Sequence, residues 1–330
     1  MTQDRPTTFL DRRAAAALVA ALFASALAAR LSASAEASAQ APAAEEPPKA
    51  GAQSGAEWVT QSVDVGGYSL MLASRGTGGP TVVIEPGMGL PAVESGEWKA
   101  VADEIARTNR VVLYDRAGLG SSGAPAKKSP RTARDVARDL HTLLAKANVP
   151  GPCVLVGHSV GGLYVRAYAD RYPDEVAGVV LVDAAHPDQE AQWLAALPRA
   201  KSGEDPAVSK ARAFLRSRIA SRAENPDRVD LAASRDHVRA ARNLGDKPLA
   251  VLAHSPDWKM VPDLPDDVMK KLEQVTQDLQ AATAKLSKDG SHVVAKHAGH
   301  AIHVDEPQLV IDAIRDVARR STKAASGKTR

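Results

Sequence analysis

Cysteine is almost missing from this chain. Cys153 stands alone among 330 residues, so no disulfide can form within it. Its place in an apolar stretch reads as that of a small buried hydrophobe. An excess of charge of one sign is missing as well, because 42 Lys and Arg face 39 Asp and Glu for a formal +3. That is too little to argue for a nucleic-acid surface. There is no helical H-E-x-x-H frame, and His297, His300 and His303 lie mostly on one loop without a clear fourth ligand. Neither metal nor cofactor is therefore expected. Long apolar runs are scarce too: the one over residues 14–29 has the length of a secretory h-region and is short for a membrane span.

What is present is an ordinary globular composition, 44% apolar and 25% charged, in a chain long enough to bury a real core. The first residues differ from the rest. Arg5, Arg12 and Arg13 precede the apolar run, Ala37-Ser-Ala39 before Gln40 is a small-residue cleavage pattern, and an Ala/Pro/Glu-rich stretch follows. Residues 1–39 are read as a signal peptide and 40–57 as a flexible tether, with the protein exported to the periplasm or beyond. The Arg12-Arg13 pair leaves the twin-arginine route open beside the general one. An uncleaved N-terminal anchor is the alternative, and the one membrane contact foreseen.

From residue 58 the pattern is that of a folded domain. Alternation at Val59, Gln61, Val63 and Val65, then at Tyr68, Leu70 and Leu72, breaks at Gly66-Gly67 and predicts a hairpin. Apolar runs of strand character follow at 81–84, 110–114, 153–156, 176–182, 248–253 and 291–295. Helical patterns separate them, one opened by Ser129 as N-cap with Pro130 behind it. Such alternation predicts a mostly parallel sheet covered by helices on both faces, with ligands at the carboxyl ends of its strands. Residues 186–246 interrupt the rhythm, rich in Ala, Arg, Asp and Glu, and are read as a helical lid over that edge. The core is then 58–185 and 247–320, with a disordered tail at 321–330. Gly118, Gly120 and Gly123 fall at G-x-G-x-x-G spacing after a strand. The helix does not open at these glycines and no acidic residue follows at the required distance, so nucleotide binding is not expected.

One stretch carries chemistry. Gly157-His-Ser-Val-Gly-Gly162 is a G-x-S-x-G turn between strand and helix, which exposes Ser159 on a strained elbow ahead of a helix N-terminus. A serine hydroxyl at neutral pH needs a base, an orienting acid and donors for an oxyanion. His300, after Gly299 in the loop between the last strand and the last helix, is the candidate base. Asp183 at the end of the strand 176–182 is favoured as the acid, with Asp257 in His254-Ser-Pro-Asp257 as the alternative. Asp115 reads as a partner of Arg116 or of the backbone that holds its loop.

Three motifs in this order, Tyr114-Asp-Arg-Ala-Gly-Leu-Gly-Ser121, the elbow, and Gly299-His-Ala-Ile-His-Val-Asp-Glu-Pro307, resemble those of the α/β-hydrolase superfamily over residues 58–320. The resemblance implies an eight-stranded sheet and a nucleophile, acid and base in the order Ser, Asp, His. It also implies an oxyanion hole from the backbone N–H groups of Val160 and Met88, although this chain has Glu85-Pro-Gly-Met where many relatives carry His-Gly-x. Serine rather than aspartate at the elbow disfavours epoxide opening and dehalogenation. The expected activity is hydrolysis of a small-molecule acyl substrate, a carboxylic ester first, with thioester, lactone and carbon–carbon cleavage as alternatives. A non-catalytic ligand-binding protein on the same fold is the rival from another class.

Overall fold

The computed structural model describes residues 57–327, apart from 127–129, 221–222 and 242. The signal peptide, nearly all of the tether and Ser129 lie outside the described residues. No described helix is long and apolar enough to cross a membrane.

The described residues build an eight-stranded sheet from β1 (Val59–Asp64), β2 (Ser69–Arg75), β3 (Val82–Glu85), β4 (Val111–Tyr114), β5 (Cys153–His158), β6 (Val176–Val182), β7 (Leu249–Ala253) and β8 (Gly290–Val294). Their lateral order is β1-β2-β4-β3-β5-β6-β7-β8. The hairpin strand β2 runs antiparallel to β1 and β4, and every later pair is parallel. Strands β3, β4, β5 and β7 are buried along their whole length. Both faces of these strands are covered, which is why the sequence there is continuously apolar rather than alternating. Val83, Leu155, Val179 and Leu181 face a cluster with α2 (Ala133–Lys146) and α3 (Gly161–Arg171). Val82, Val154, Val156 and Val180 face the other side, where α1 (Lys99–Ile105) and a long terminal helix pack.

Two sequence expectations need correction. Helix α2 opens at Ala133 rather than Pro130, because Asp135 turns back to accept from both the backbone N–H and the hydroxyl of Thr132 at 2.9 Å. The tail expected from residue 321 is still helix: the last helix runs over Pro307–Gly327. Its continuation follows from anchoring. Arg320 bonds Asp289 at 2.6 Å, and buried Ser321 donates to the Ala318 carbonyl at 2.8 Å.

Between β6 and β7 lie α4 (Gln189–Ala196), α5 (Pro206–Ala220) and α6 (Leu231–Arg239). Leu197, Val208 and Leu215 share a small apolar cluster with Leu264, Val268, Met269 and Leu272, at the start of α7 (Asp266–Ala284). Leu231 and Val238 of α6 belong instead to the main core, and Ser234 accepts from the first amide of α2 at 2.9 Å. The insertion is thus anchored at two places. A short α8 (Ile302–Asp305) precedes the terminal helix, which is α9.

Candidate active site

The elbow is built by close approach. Strand β5 ends at His158 and α3 opens at Gly161, so the chain reverses at Ser159, whose φ is +54°. A non-glycine residue held there costs about 1–3 kcal/mol and must be over-determined by its surroundings. Three backbone bonds do so: Ser159 N–H to the Val182 carbonyl at 3.2 Å, and the Ser159 carbonyl accepting from Ala185 at 2.8 Å and Gly162 at 3.0 Å. The glycines on the helix side are sterically required. A Cβ at Gly161 would lie 2.4 Å from the Glu85 carbonyl oxygen, and one at Gly162 would lie 2.4 Å from the Ala184 Cβ.

Asp183 follows β6 and also has a positive φ, +41°. Its amide is tied to the Leu252 carbonyl at 2.8 Å, and its carboxylate is buried. Oδ2 meets His300 Nδ1 at 2.5 Å. Oδ1 meets His254 Nδ1 at 2.8 Å. Burial works to raise the acid's pKa, but the charge and hydrogen bond of His254 and the bond from His300 overcome it and hold Asp183 below the usual carboxylate range. Asp257 is exposed, with its amide on the Ser255 hydroxyl at 3.3 Å. The structure therefore brings Asp183, and not Asp257, to the ring of His300.

His300 is tied to the elbow as well. His158 Nε2 donates to the His300 carbonyl at 3.0 Å, and the two rings are 4.7 Å apart between centroids. Burial first, then nearby His303 and His300, keep His158 far below the ordinary histidine range, so it is a neutral donor. The other histidines of the loop diverge. His297 points to the surface, and His303 is buried with its ring stacked on Trp98 at 4.0 Å.

The loop after β3 lies on the first turn of α3. The same Cβ at Gly161 that would strike Glu85 would also come within 2.7 Å of the Pro86 carbonyl oxygen, which places the stretch that leads to Met88 against the first turn of α3. From below, buried Arg116 donates to the Pro86 carbonyl at 2.9 Å and the Gly87 carbonyl at 2.6 Å. It also pairs with Glu85 at 2.7 Å and with Asp227 at 3.1 Å. Asp227 comes from the helical insertion. It accepts from the Gly89 amide at 2.9 Å and from the Tyr164 hydroxyl at 3.0 Å.

A family model described as the alpha/beta hydrolase family matches residues 82–313. The chain belongs to that family. Among its relatives is the uncharacterized protein YqjL of Bacillus subtilis (strain 168), 29% identical over 262 residues that cover 79% of this chain and 92% of that one. Two solved structures share the fold. A thermophilic esterase from Thermogutta terrifontis has 22% identity and a TM-score of 0.52, covering 81% of this chain and 99% of its own. An epoxide hydrolase variant from Vigna radiata has 16% identity and a TM-score of 0.54, covering 79% and 98%.

In this α/β hydrolase, Ser159, Asp183, His300, Val160 and Met88 all sit at the carboxyl edge of the sheet. Asp115 takes the backbone role of the two read for it, accepting from the Val93 amide at 2.9 Å, while Arg116 points the opposite way to Glu85 and Asp227. Four neighbours were missed in the sequence: His254, Glu273, Asp227 and Glu85. His254 was visible as a residue beside Asp257, but nothing in the sequence linked it to Glu273, whose carboxylate meets its Nε2 at 2.9 Å. Asp227 carried no motif, and Glu85 stood only as the first residue of the stretch that leads to Met88, with no role of its own.

Proposed function

We propose that this hydrolase cleaves a carboxylic ester of a small molecule by acyl transfer to water. Ser159 attacks the carbonyl, and His300 takes its proton and returns it to the leaving alcohol. Asp183 holds the imidazole in the tautomer with Nδ1–H, and the N–H groups of Val160 and Met88 stabilise the oxyanion. A water then enters by the same route and releases the acid. The observation that carries this reading is the placement of His300: its Nδ1 is on Asp183 at 2.5 Å and its carbonyl on His158, the residue before Ser159. Both contacts support His300 as the base that serves Ser159.

A serine at the elbow supports ester over epoxide chemistry, since an epoxide opened here would need a carboxylate nucleophile. Helices α4–α6 act as a lid that shields a partly apolar substrate, and export through the N-terminal segment delivers the enzyme outside the cytoplasm. The test is a turnover screen over acyl and aryl esters of varied chain length, thioesters and lactones, beside labelling with a fluorophosphonate. Ester turnover and labelling that both vanish in Ser159→Ala are the expected result. Folded protein that neither labels nor turns over any ester, and that behaves as Ser159→Ala does, would establish a binding protein on the same fold.

A further inference from the structure

Asp183 carries two imidazoles, one on each carboxylate oxygen: His300 on Oδ2 at 2.5 Å and His254 on Oδ1 at 2.8 Å. His254 is itself held at both ends. Its other nitrogen lies 2.9 Å from Glu273 Oε2, and the side chain is 3% exposed. A neutral imidazole has one N–H and one acceptor nitrogen, whereas a carboxylate only accepts. Two carboxylates on one ring therefore require a proton on each nitrogen, or a proton on a carboxyl group. The surroundings choose the first. Glu273 also accepts from the Gln277 amide at 2.7 Å, and Asp183 accepts from His300, so both acids are solvated by donors as anions. An isolated histidine also holds its proton more strongly, near 6.5, than an isolated glutamate does, near about 4.3.

We propose that His254 is a positioning residue of the catalytic acid, an imidazolium clamped between Asp183 and Glu273 that fixes the carboxylate facing His300. This deepens, and rests on, the assignment of Ser159, His300 and Asp183 as nucleophile, base and acid. The clamp orients the carboxylate, since with Oδ1 bonded to His254 the free direction of Oδ2 is toward His300.

The charged and titratable groups around the clamp are few. His254 faces Asp183 at the end of β6 and Glu273 on α7, with the edge of Trp258 at 4.9 Å. His300 faces Asp183, His158 at the end of β5 and, more distantly, His303 of α8. His158 and His303 are both held below the ordinary range by burial, so neither supplies a competing cation near neutrality. Burial likewise works against a charged His254, but Asp183 and Glu273 outweigh it and push its pKa up to about 10.

The direct test is nitrogen-15 NMR on the full-length Ser159→Ala protein labelled at histidine, which reads protonation without turnover. His254 is expected to show both ring nitrogens protonated at neutral pH and to titrate only on the alkaline side; a singly protonated His254 at pH 7.5 overturns the proposal. The second test is the split between kcat and KM in His254→Gln, where loss of the bond that orients the carboxylate should lower kcat by about 10-fold with KM little changed. A folded variant with unmoved kcat also overturns the proposal. If that variant does not fold, Glu273→Gln keeps the Asp183 contact and removes one carboxylate. The His254 titration should then fall by about 1 unit or more, and an unmoved titration counts against the clamp. Absence of ester turnover and of fluorophosphonate labelling in the unmutated protein would sink the hydrolase assignment alone, and the NMR result would still decide the state of His254.

Discussion

At the scale of single residues, the hydrolase assigns opposite fates to two aspartates. Asp183→Asn keeps the shape but offers an N–H or a weaker acceptor to His300, which leaves the wrong tautomer facing Ser159; kcat on a chromogenic ester should fall by about 10⁴. Asp257→Asn should leave kcat within a factor of two, because that side chain is exposed in the turn after β7. Equal losses in both would discredit Asp183 as the acid. Gly162→Ala is the steric counterpart: its Cβ would sit 2.4 Å from that of Ala184. Strand β6 and α3 would have to part there, and the variant should lose turnover together with thermal stability. Residues of this kind were legible in the sequence because the chemistry prescribes them at fixed spacing around a turn. The clamp on Asp183 was not, because His254 and Glu273 come from different elements and neither type is rare enough in its context to stand out.

At the scale of elements, the insertion between β6 and β7 is tied into the core of the molecule. Its irregular segment before α6 sends Asp227 into the core, where one carboxylate holds Arg116, the Gly89 amide and the Tyr164 hydroxyl. The same segment bonds the entry to α2, through Arg131 to the Arg228 carbonyl at 3.4 Å and Asp230 to the Arg131 carbonyl at 2.6 Å. The insertion and the loop carrying Met88 are therefore parts of one hydrogen-bonded unit. Removing one partner of a buried ion pair costs about 3–5 kcal/mol, so Asp227→Ala should lower the melting temperature clearly. Asp227→Asn is the informative change, since it can keep one acceptor for Gly89 while dropping the charge. It should reduce kcat by about 10-fold with KM less affected, in line with partial loss of an oxyanion donor; a change confined to KM would mean that Asp227 serves the insertion alone. Composition was enough to predict a helical insertion here. Its anchoring was hidden, because a single acid in a non-periodic stretch leaves no pattern. Helix α2 shows the same limit, with Thr132 and Asp135 taking the cap that Pro130 had suggested for an earlier residue.

At the scale of the whole molecule, the His254 clamp sets how stability follows pH. A histidine whose folded pKa is raised contributes fully below its unfolded value, near 6.5, and loses that contribution as pH climbs through the folded value of about 10. Asp183 runs the other way: its depressed pKa stabilises the fold above about 3.9 and fails only as pH drops further. The melting temperature, followed by calorimetry at fixed ionic strength, should decline between pH 7 and 10, and His254→Gln should flatten that slope. The described residues from Glu57 onward belong to one compact unit. A protein starting at Glu57 should melt and turn over as the full chain does. The first strand and the last helix of the described residues reach the amino edge of the sheet, away from Ser159. Val59 begins β1 opposite Ser74, near the amino edge of the sheet, and Ser321 and Thr322 of α9 border the same cavity as Thr81 and Arg110, which precede β3 and β4. A molecule held through β1 or the end of α9 would therefore turn the carboxyl edge of its sheet, with Ser159, outward, toward whatever diffuses past.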